Sequence, residues 1–249
     1  MSYFDFEKKR LFYTIAGTGK PLLLLHGNTA SSKMFDPIVP LFSEKNTVIR
    51  MDFLGCGQSE RLAKWPADLW YSWSEQAAAL LKHLGLRKVN MIGCSGGALA
   101  ALNLALDYPE LVNAVAADSF EGIRADASIT EQIRAGRSYA KQIEGFRLMQ
   151  KGTHGDDWEQ VVDADTEAVV SHAEKIGNFF HRPLSALQPK LLLTGSAEDE
   201  MFPAGHYAAL FSGISSEVND CSVHIFEHGG HPALMSNTNE FARLCGKFF

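Results

Sequence analysis

Residues 22–25 are four consecutive leucines, set directly after Gly19-Lys20-Pro21. A strand with one face in water alternates apolar and polar side chains, because successive side chains point to opposite faces. A run that is apolar at every position therefore reads as a strand buried on both faces, as in a parallel sheet covered by helices. Runs of the same kind occupy residues 47–51, 89–92, 112–117 and 191–194. Helical patterns lie between them. Residues 68–84 place Leu69, Trp73, Ala77, Leu80, Leu81 and Leu84 at helical spacing and stop at Gly85, a favoured C-cap. Residues 98–106 are small and apolar all round, which implies a helix packed deep against a sheet. Shorter strands are expected at residues 3–6 and 11–16. A last strand is expected at 222–226, before a helix bearing Leu234, Phe241, Leu244 and Phe248. This alternation predicts an α/β fold with a mostly parallel central sheet flanked by helices. A chain of 249 residues that is 46% hydrophobic and 21% charged can fill such a core.

The alternation stops after Asp118. Residues 119–185 carry no strand signal, and Ser128 and Glu131 have the spacing of a capping box that opens a helix running to about Gln150. Residues 151–157 form a polar break, and Val161, Val162, Val169, Val170, Ala173 and Ile176 continue in helical rhythm. The pattern predicts a core of residues 1–118 and 186–249 with a helical cap over 119–185. The alternative is a set of ordinary crossover helices in a longer sheet.

Gly93-Cys94-Ser95-Gly96-Gly97 joins the buried strand at 89–92 to the helix that follows. G-x-S-x-G between a strand and a helix is the setting of a serine nucleophile on a sharp turn. The glycines are required where the two backbones close up, and the helix N-terminus favours a developing anion. Cys94, next to Ser95, is expected to point away and pack. A serine hydroxyl needs a base, and His231, in a glycine-flanked loop after the last strand, is the candidate. His228, three residues earlier, reads as a strand-end residue without chemistry. His83, His154, His172, His181, His206 and His224 read as structural or solvated.

The acid that orients the base is sought in Glu198-Asp199-Glu200, just beyond a buried strand. Asp199 is the first choice, Glu198 the second and Glu200 the third. Asp118 could also reach His231 from a strand end, but is expected to help start the cap. Two N–H groups should hold the oxyanion: that of Gly96 and that of Asn28, in the loop after the leucine strand. The Asn28 side chain is expected toward the substrate and His26 is expected to hold its loop. Tyr139, Phe146 and Met149 are the cap residues expected to line an acyl pocket.

Other functions recede. A formal charge of −6 disfavours nucleic acid as a partner, because phosphate binding draws on a basic face. Four scattered cysteines form no CxxC pair, and no apolar run approaches the roughly 20 residues of a membrane span. A cytoplasmic enzyme that acts on a small molecule, without metal or organic cofactor, fits best.

Taken together the motifs resemble the α/β-hydrolase superfamily over nearly the whole chain. His26-Gly27 resembles its HG loop, Asp52-Phe53-Leu54-Gly55-Cys56-Gly57-Gln58-Ser59 its D-x-x-G-x-G-x-S segment, and residues 93–97 its elbow. Asp199 stands four residues before Pro203, as in the family's D-x-x-x-P pattern. Ser95, Asp199 and His231 follow its chain order. The family also inserts a helical cap after its sixth strand. Haloalkane dehalogenases and epoxide hydrolases of this kind use an aspartate nucleophile, where this elbow has Ser95. The HGGPG loop of proline iminopeptidases and the related Gly-Pro-Gly loop of many carbon–carbon hydrolases are replaced by His26-Gly27-Asn28-Thr29-Ala30. The resemblance implies hydrolysis of a carboxylic ester or lactone. A carbon–carbon hydrolase, a thioesterase and a non-catalytic ligand-binding protein are the alternatives.

Overall fold

The computed structural model describes residues 2–249. Eight strands form one sheet: β1 (Ser2–Phe6), β2 (Lys9–Ala16), β3 (Lys20–Leu25), β4 (Asn46–Met51), β5 (Val89–Cys94), β6 (Val112–Asp118), β7 (Lys190–Ser196) and β8 (Cys221–Phe226). Their order is β1-β2-β4-β3-β5-β6-β7-β8. The β1–β2 and β2–β4 pairs are antiparallel, and every other pair is parallel.

The leucine run shows why the sheet needs cover on both sides. Leu23 and Leu25 join one core cluster and Leu22 and Leu24 the other, and all four are fully buried. Each such burial is worth about 2 kcal/mol. Helices α2 (Leu69–His83), α3 (Gly96–Asp107) and α7 (His206–Glu217) cover the first face. The second is covered by α1 (Val39–Ser43), α8 (Ala233–Ser236) and α9 (Thr238–Phe248). Among the described residues no helix is long and apolar enough to cross a membrane.

Between β6 and β7 the chain is helical: α4 (Thr130–Ala140), α5 (Glu144–His154) and α6 (Trp158–Lys175). An isolated bridge between Arg124 and Asn178 closes the base of this insertion. Two boundaries differ from the sequence reading. The single helix expected to reach Gln150 is broken at residues 141–143, and α5 continues through much of the expected polar break, to His154. It ends at Gly155, whose φ of +96° an L residue rarely adopts. Asp126 caps a short 3-10 turn, Ala127–Ile129, ahead of α4, its carboxylate accepting the Ser128 N–H at 2.8 Å, and Ser128 caps no helix. Of the three helices α6 is the buried one, with Val161, Val162, Val169 and Val170 inside. In contrast, Ile129, Tyr139, Ile143, Leu148 and Met149 are exposed on and around α4 and α5.

Parallel register brings the carboxyl ends of β3, β5, β6, β7 and β8 to one edge, with Leu25 beside Gly93, Cys94 beside Asp118 and Asp118 beside Thr194. Asp118 does not start the cap. It is fully buried, and its carboxylate accepts the Thr194 hydroxyl at 2.7 Å and the Leu234 N–H at 3.0 Å. It therefore stitches β6 to β7 and to the start of α8. Burial pushes its pKa up from 3.8 to about 6, against the opposing effect of these donors and of His231. A carboxyl that holds its proton more tightly when folded favours the fold while protonated, and that contribution is lost as pH rises from about 4 through 6. The shift corresponds to about 3 kcal/mol. Urea denaturation of the wild type and of Asp118→Asn should therefore show a wild-type advantage that shrinks by about 2–3 kcal/mol between pH 4 and pH 7. A constant difference across that range would contradict this assignment.

Candidate active site

Strand β5 runs into α3 through Ser95, which sits at φ +54°, ψ −125°. This strained conformation is held because the glycines let three backbones meet. A Cβ on Gly97 would lie 2.1 Å from the Leu25 carbonyl oxygen, and one on Gly93 would lie 2.3 Å from the Gly97 oxygen. The Ser95 N–H donates to the Asp118 carbonyl at 2.7 Å. Cys94 points into the opposite core cluster, where burial raises its thiol well above the usual range.

Beyond β8, His231 reaches Asp199, with Nδ1 2.8 Å from Oδ2. Asp199 also accepts the Tyr207 hydroxyl at 2.7 Å and the Met201 N–H at 2.9 Å. Burial works to raise the Asp199 pKa, but the hydrogen bonds from His231, Tyr207 and Met201 prevail and hold it below the usual carboxylate range. An ionised Asp199 makes Nδ1 the proton-bearing nitrogen and leaves Nε2 as an acceptor. The flanking acids act on backbone and surface groups. Glu198 holds the exposed His228 at 3.2 Å and the Gly229 N–H at 3.4 Å, and Glu200 accepts the His231 N–H at 3.1 Å. No hydrogen bond joins Ser95 Oγ to His231 among the described residues.

The loop after β3 comes against the elbow: a Cβ on Gly27 would be 3.0 Å from the Ser95 Cβ. His26 holds this loop, its Nδ1 2.8 Å from the Gly27 carbonyl oxygen and its Nε2 accepting the Phe53 N–H at 3.1 Å. Burial lowers the His26 pKa, consistent with a neutral ring. Neither the Asn28 N–H nor the Gly96 N–H is spent on a hydrogen bond among the described residues. The Asn28 side chain, expected toward the substrate, is instead held by protein groups. Its Nδ2 donates to Asp165 on α6 at 2.9 Å, and its Oδ1 accepts the Trp70 indole N–H at 3.0 Å. Asp165 is fully buried, accepts the Thr29 N–H at 3.3 Å and is paired with Arg137 on α4. A second tie comes from α5. His154 accepts the Gly57 N–H at 2.9 Å, and burial lowers its pKa to about 4, so its ring is neutral. Gly57, at φ +51°, lies where a Cβ would strike the Asp52 carboxylate.

Beside Ser95 lies a cavity of about 30 Å³, room for about one water. Its walls are Trp70, Leu99, Met201 and Phe202, with Asn28, Gly96 and Glu121 supplying polar atoms. Phe202 packs edge-on to His231, with ring centroids 6.1 Å apart. Tyr139, Phe146 and Met149 do not line this cavity. Tyr139 and Met149 are exposed, and Phe146 packs against Trp158 at 6.4 Å. Glu121, Trp70, Met201 and Phe202 were not singled out from sequence. A larger groove of about 570 Å³, between Phe180 and α7, contains neither Ser95 nor His231. Among the described residues no group of three or more His, Cys, Asp or Glu side chains is placed to hold a metal ion.

The tightness of the elbow predicts that Gly97→Ala cannot be absorbed, because the obstructing atoms are backbone carbonyls of Leu25 and His26. Thermal unfolding should show a loss of about 3 kcal/mol or more. An unchanged Tm would mean the elbow has slack.

A family model described as the alpha/beta hydrolase fold matches residues 20–160. A proline iminopeptidase of Clostridium botulinum is 35% identical over 113 residues, 43% of this chain and only 38% of that protein's length. A 2-hydroxymuconate semialdehyde hydrolase of a Pseudomonas species is 24% identical over 94% of this chain and 88% of its own. The structure of Est816, described as an N-acyl homoserine lactone degrading enzyme, superposes with a TM-score of 0.75 at 18% identity, covering 100% of both chains. The chain belongs to the α/β-hydrolase fold family.

Proposed function

We propose that this α/β hydrolase cleaves a carboxylic ester or lactone through an acyl-enzyme on Ser95, with His231 as base and Asp199 as its orienting acid. The observation that carries the reading is the His231–Asp199 contact at 2.8 Å beside a strained elbow with two unspent N–H groups. His231 Nε2 takes the Ser95 proton as the oxygen attacks the carbonyl. The Asn28 and Gly96 N–H groups receive the oxyanion, and ionised Asp199 stabilises the imidazolium. His231 then protonates the leaving oxygen, and water repeats the cycle on the acyl-enzyme. The serine–histidine hydrogen bond forms on substrate binding, as catalytic contacts often tighten only in the complex.

The helical insertion acts as a lid in this scheme. A cavity of about 30 Å³ is too small for a substrate, so Met201, Phe202 and the insertion must shift to admit one. Asp165 keeps the lid in register with the Asn28 loop when closed. Carbon–carbon hydrolysis is the second reading, favoured by the full-length similarity to the semialdehyde hydrolase. Against it stands the absence of a Lys or Arg among the residues lining the cavity, where an anionic dienoate-type substrate would need one.

Ser95→Ala should lower kcat on p-nitrophenyl acetate roughly 10³-fold or more while leaving the fold intact. It should also abolish labelling by a serine-directed phosphonate. Turnover near the wild-type rate would sink the mechanism. A panel of acyl esters, lactones, acyl thioesters and carbon–carbon substrates then ranks the reactions.

The three neighbouring acids should separate cleanly. Asp199→Asn leaves the base in the wrong tautomer and should cost on the order of 10³–10⁴ in kcat. Glu198→Gln, which touches His228 and a backbone N–H at the surface, should cost less than about tenfold. Equal losses would point to a different orienting acid.

A further inference from the structure

The cavity beside Ser95 has one side chain that carries charge by itself. Glu121 lies three residues past the end of β6, at the start of the insertion, and lines the same space as Ser95, Trp70 and Phe202. Its carboxylate has no hydrogen-bond or ion-pair partner among the described residues. Glu121 is an exposed residue, and desolvation where it borders the protein pushes its pKa up from 4.5 to about 7. Arg137 and the His231 ring lie near enough to oppose the shift. Arg137 is already paired with buried Asp165, and His231 is held by Asp199.

A carboxylate with no donor from the protein can take one from a ligand, and a cationic donor makes that hydrogen bond charge-assisted. The neighbouring walls suit the same ligand. The Trp70 and Phe202 rings attract a cation, and the Trp70 N–H, spent on Asn28, is not available to an anion.

We propose that Glu121 makes this cavity a recognition site for substrates that carry an ammonium group near the scissile carbonyl, and that it excludes analogues carrying a carboxylate there. The word substrate rests on the reading of Ser95 as nucleophile; the recognition itself does not. An ammonium group forms a charge-assisted hydrogen bond to Glu121, while a carboxylate placed against Glu121, away from the Asn28 and Gly96 N–H groups, meets like charge with no free cation to offset it.

Direct binding separates the two. Benzylammonium, benzyl alcohol and benzoate are titrated by calorimetry or NMR into the wild type and Glu121→Gln at pH 8 and low salt. The wild type should bind benzylammonium about tenfold or more tightly than benzoate, with benzyl alcohol between them. In Glu121→Gln the spread should fall to about twofold or less, with the thermal transition retained as a check on folding. Undetectable benzylammonium binding, benzoate binding as tight as benzylammonium, or an unchanged spread in Glu121→Gln would overturn the proposal. Hydrolysis of p-nitrophenyl acetate by the wild type is measured in parallel. A protein that discriminates by charge but hydrolyses no ester refutes the ester reading alone. One that hydrolyses esters but ignores ligand charge refutes the Glu121 proposal alone.

Discussion

Asp118 holds together three segments that lie far apart in the chain. Its carbonyl receives the Ser95 N–H, one carboxylate oxygen receives Thr194 at the end of β7, and the other receives Leu234 just after His231. Ser119, the next residue, accepts the Ala233 N–H at 2.8 Å. The Ser95 turn, the strand that leads to Asp199 and the segment that follows His231 are thereby referred to one buried point. A buried carboxylate costs free energy unless its lone pairs are filled, so it also enforces this arrangement: each donor it loses leaves an unsatisfied charge in the core.

The insertion is tied to the core in the same manner. Asp165 from α6 reaches the Asn28 loop, and His154 from α5 reaches the Gly57 turn. Both contacts join a side chain of the insertion to a backbone or amide group in a core loop. The insertion and the two loops beside the elbow therefore share one set of polar partners. Arg137 balances the Asp165 charge from a different helix of the insertion, so α4 and α6 are joined at the same place.

Much of this was readable from residue order. Buried parallel strands announce themselves through runs such as Leu22–Leu25, and the Ser95 elbow through glycines that no other residue could replace. His231 and Asp199 do meet, because strand ends in a parallel sheet are brought to one edge. The failures share a cause. Ser128 and Asp126 are both competent caps two residues apart, and local pattern does not say which turn begins first. The helix break at residues 141–143 carries neither glycine nor proline. Tyr139 and Met149 looked like pocket residues because they are large and apolar on a cap, but orientation is decided by how α6 docks. Trp70, Met201 and Phe202 come from α2 and the acid loop, and only the folded chain places them beside Ser95. Asp118 was misread because a strand-end carboxylate can face a loop or a core with the same sequence signature.

The size of the cavity at Ser95 has a kinetic meaning. If the resting arrangement holds about one water, the binding-competent form is a minority state, and every ligand meets the same toll before its own contacts count. Apparent affinity is then the intrinsic affinity multiplied by the open fraction, so loosening Met201 and Phe202 would tighten all ligands in equal proportion. Association rates would level off with rising ligand concentration at the rate of opening, a ceiling set by the protein and shared by unrelated ligands.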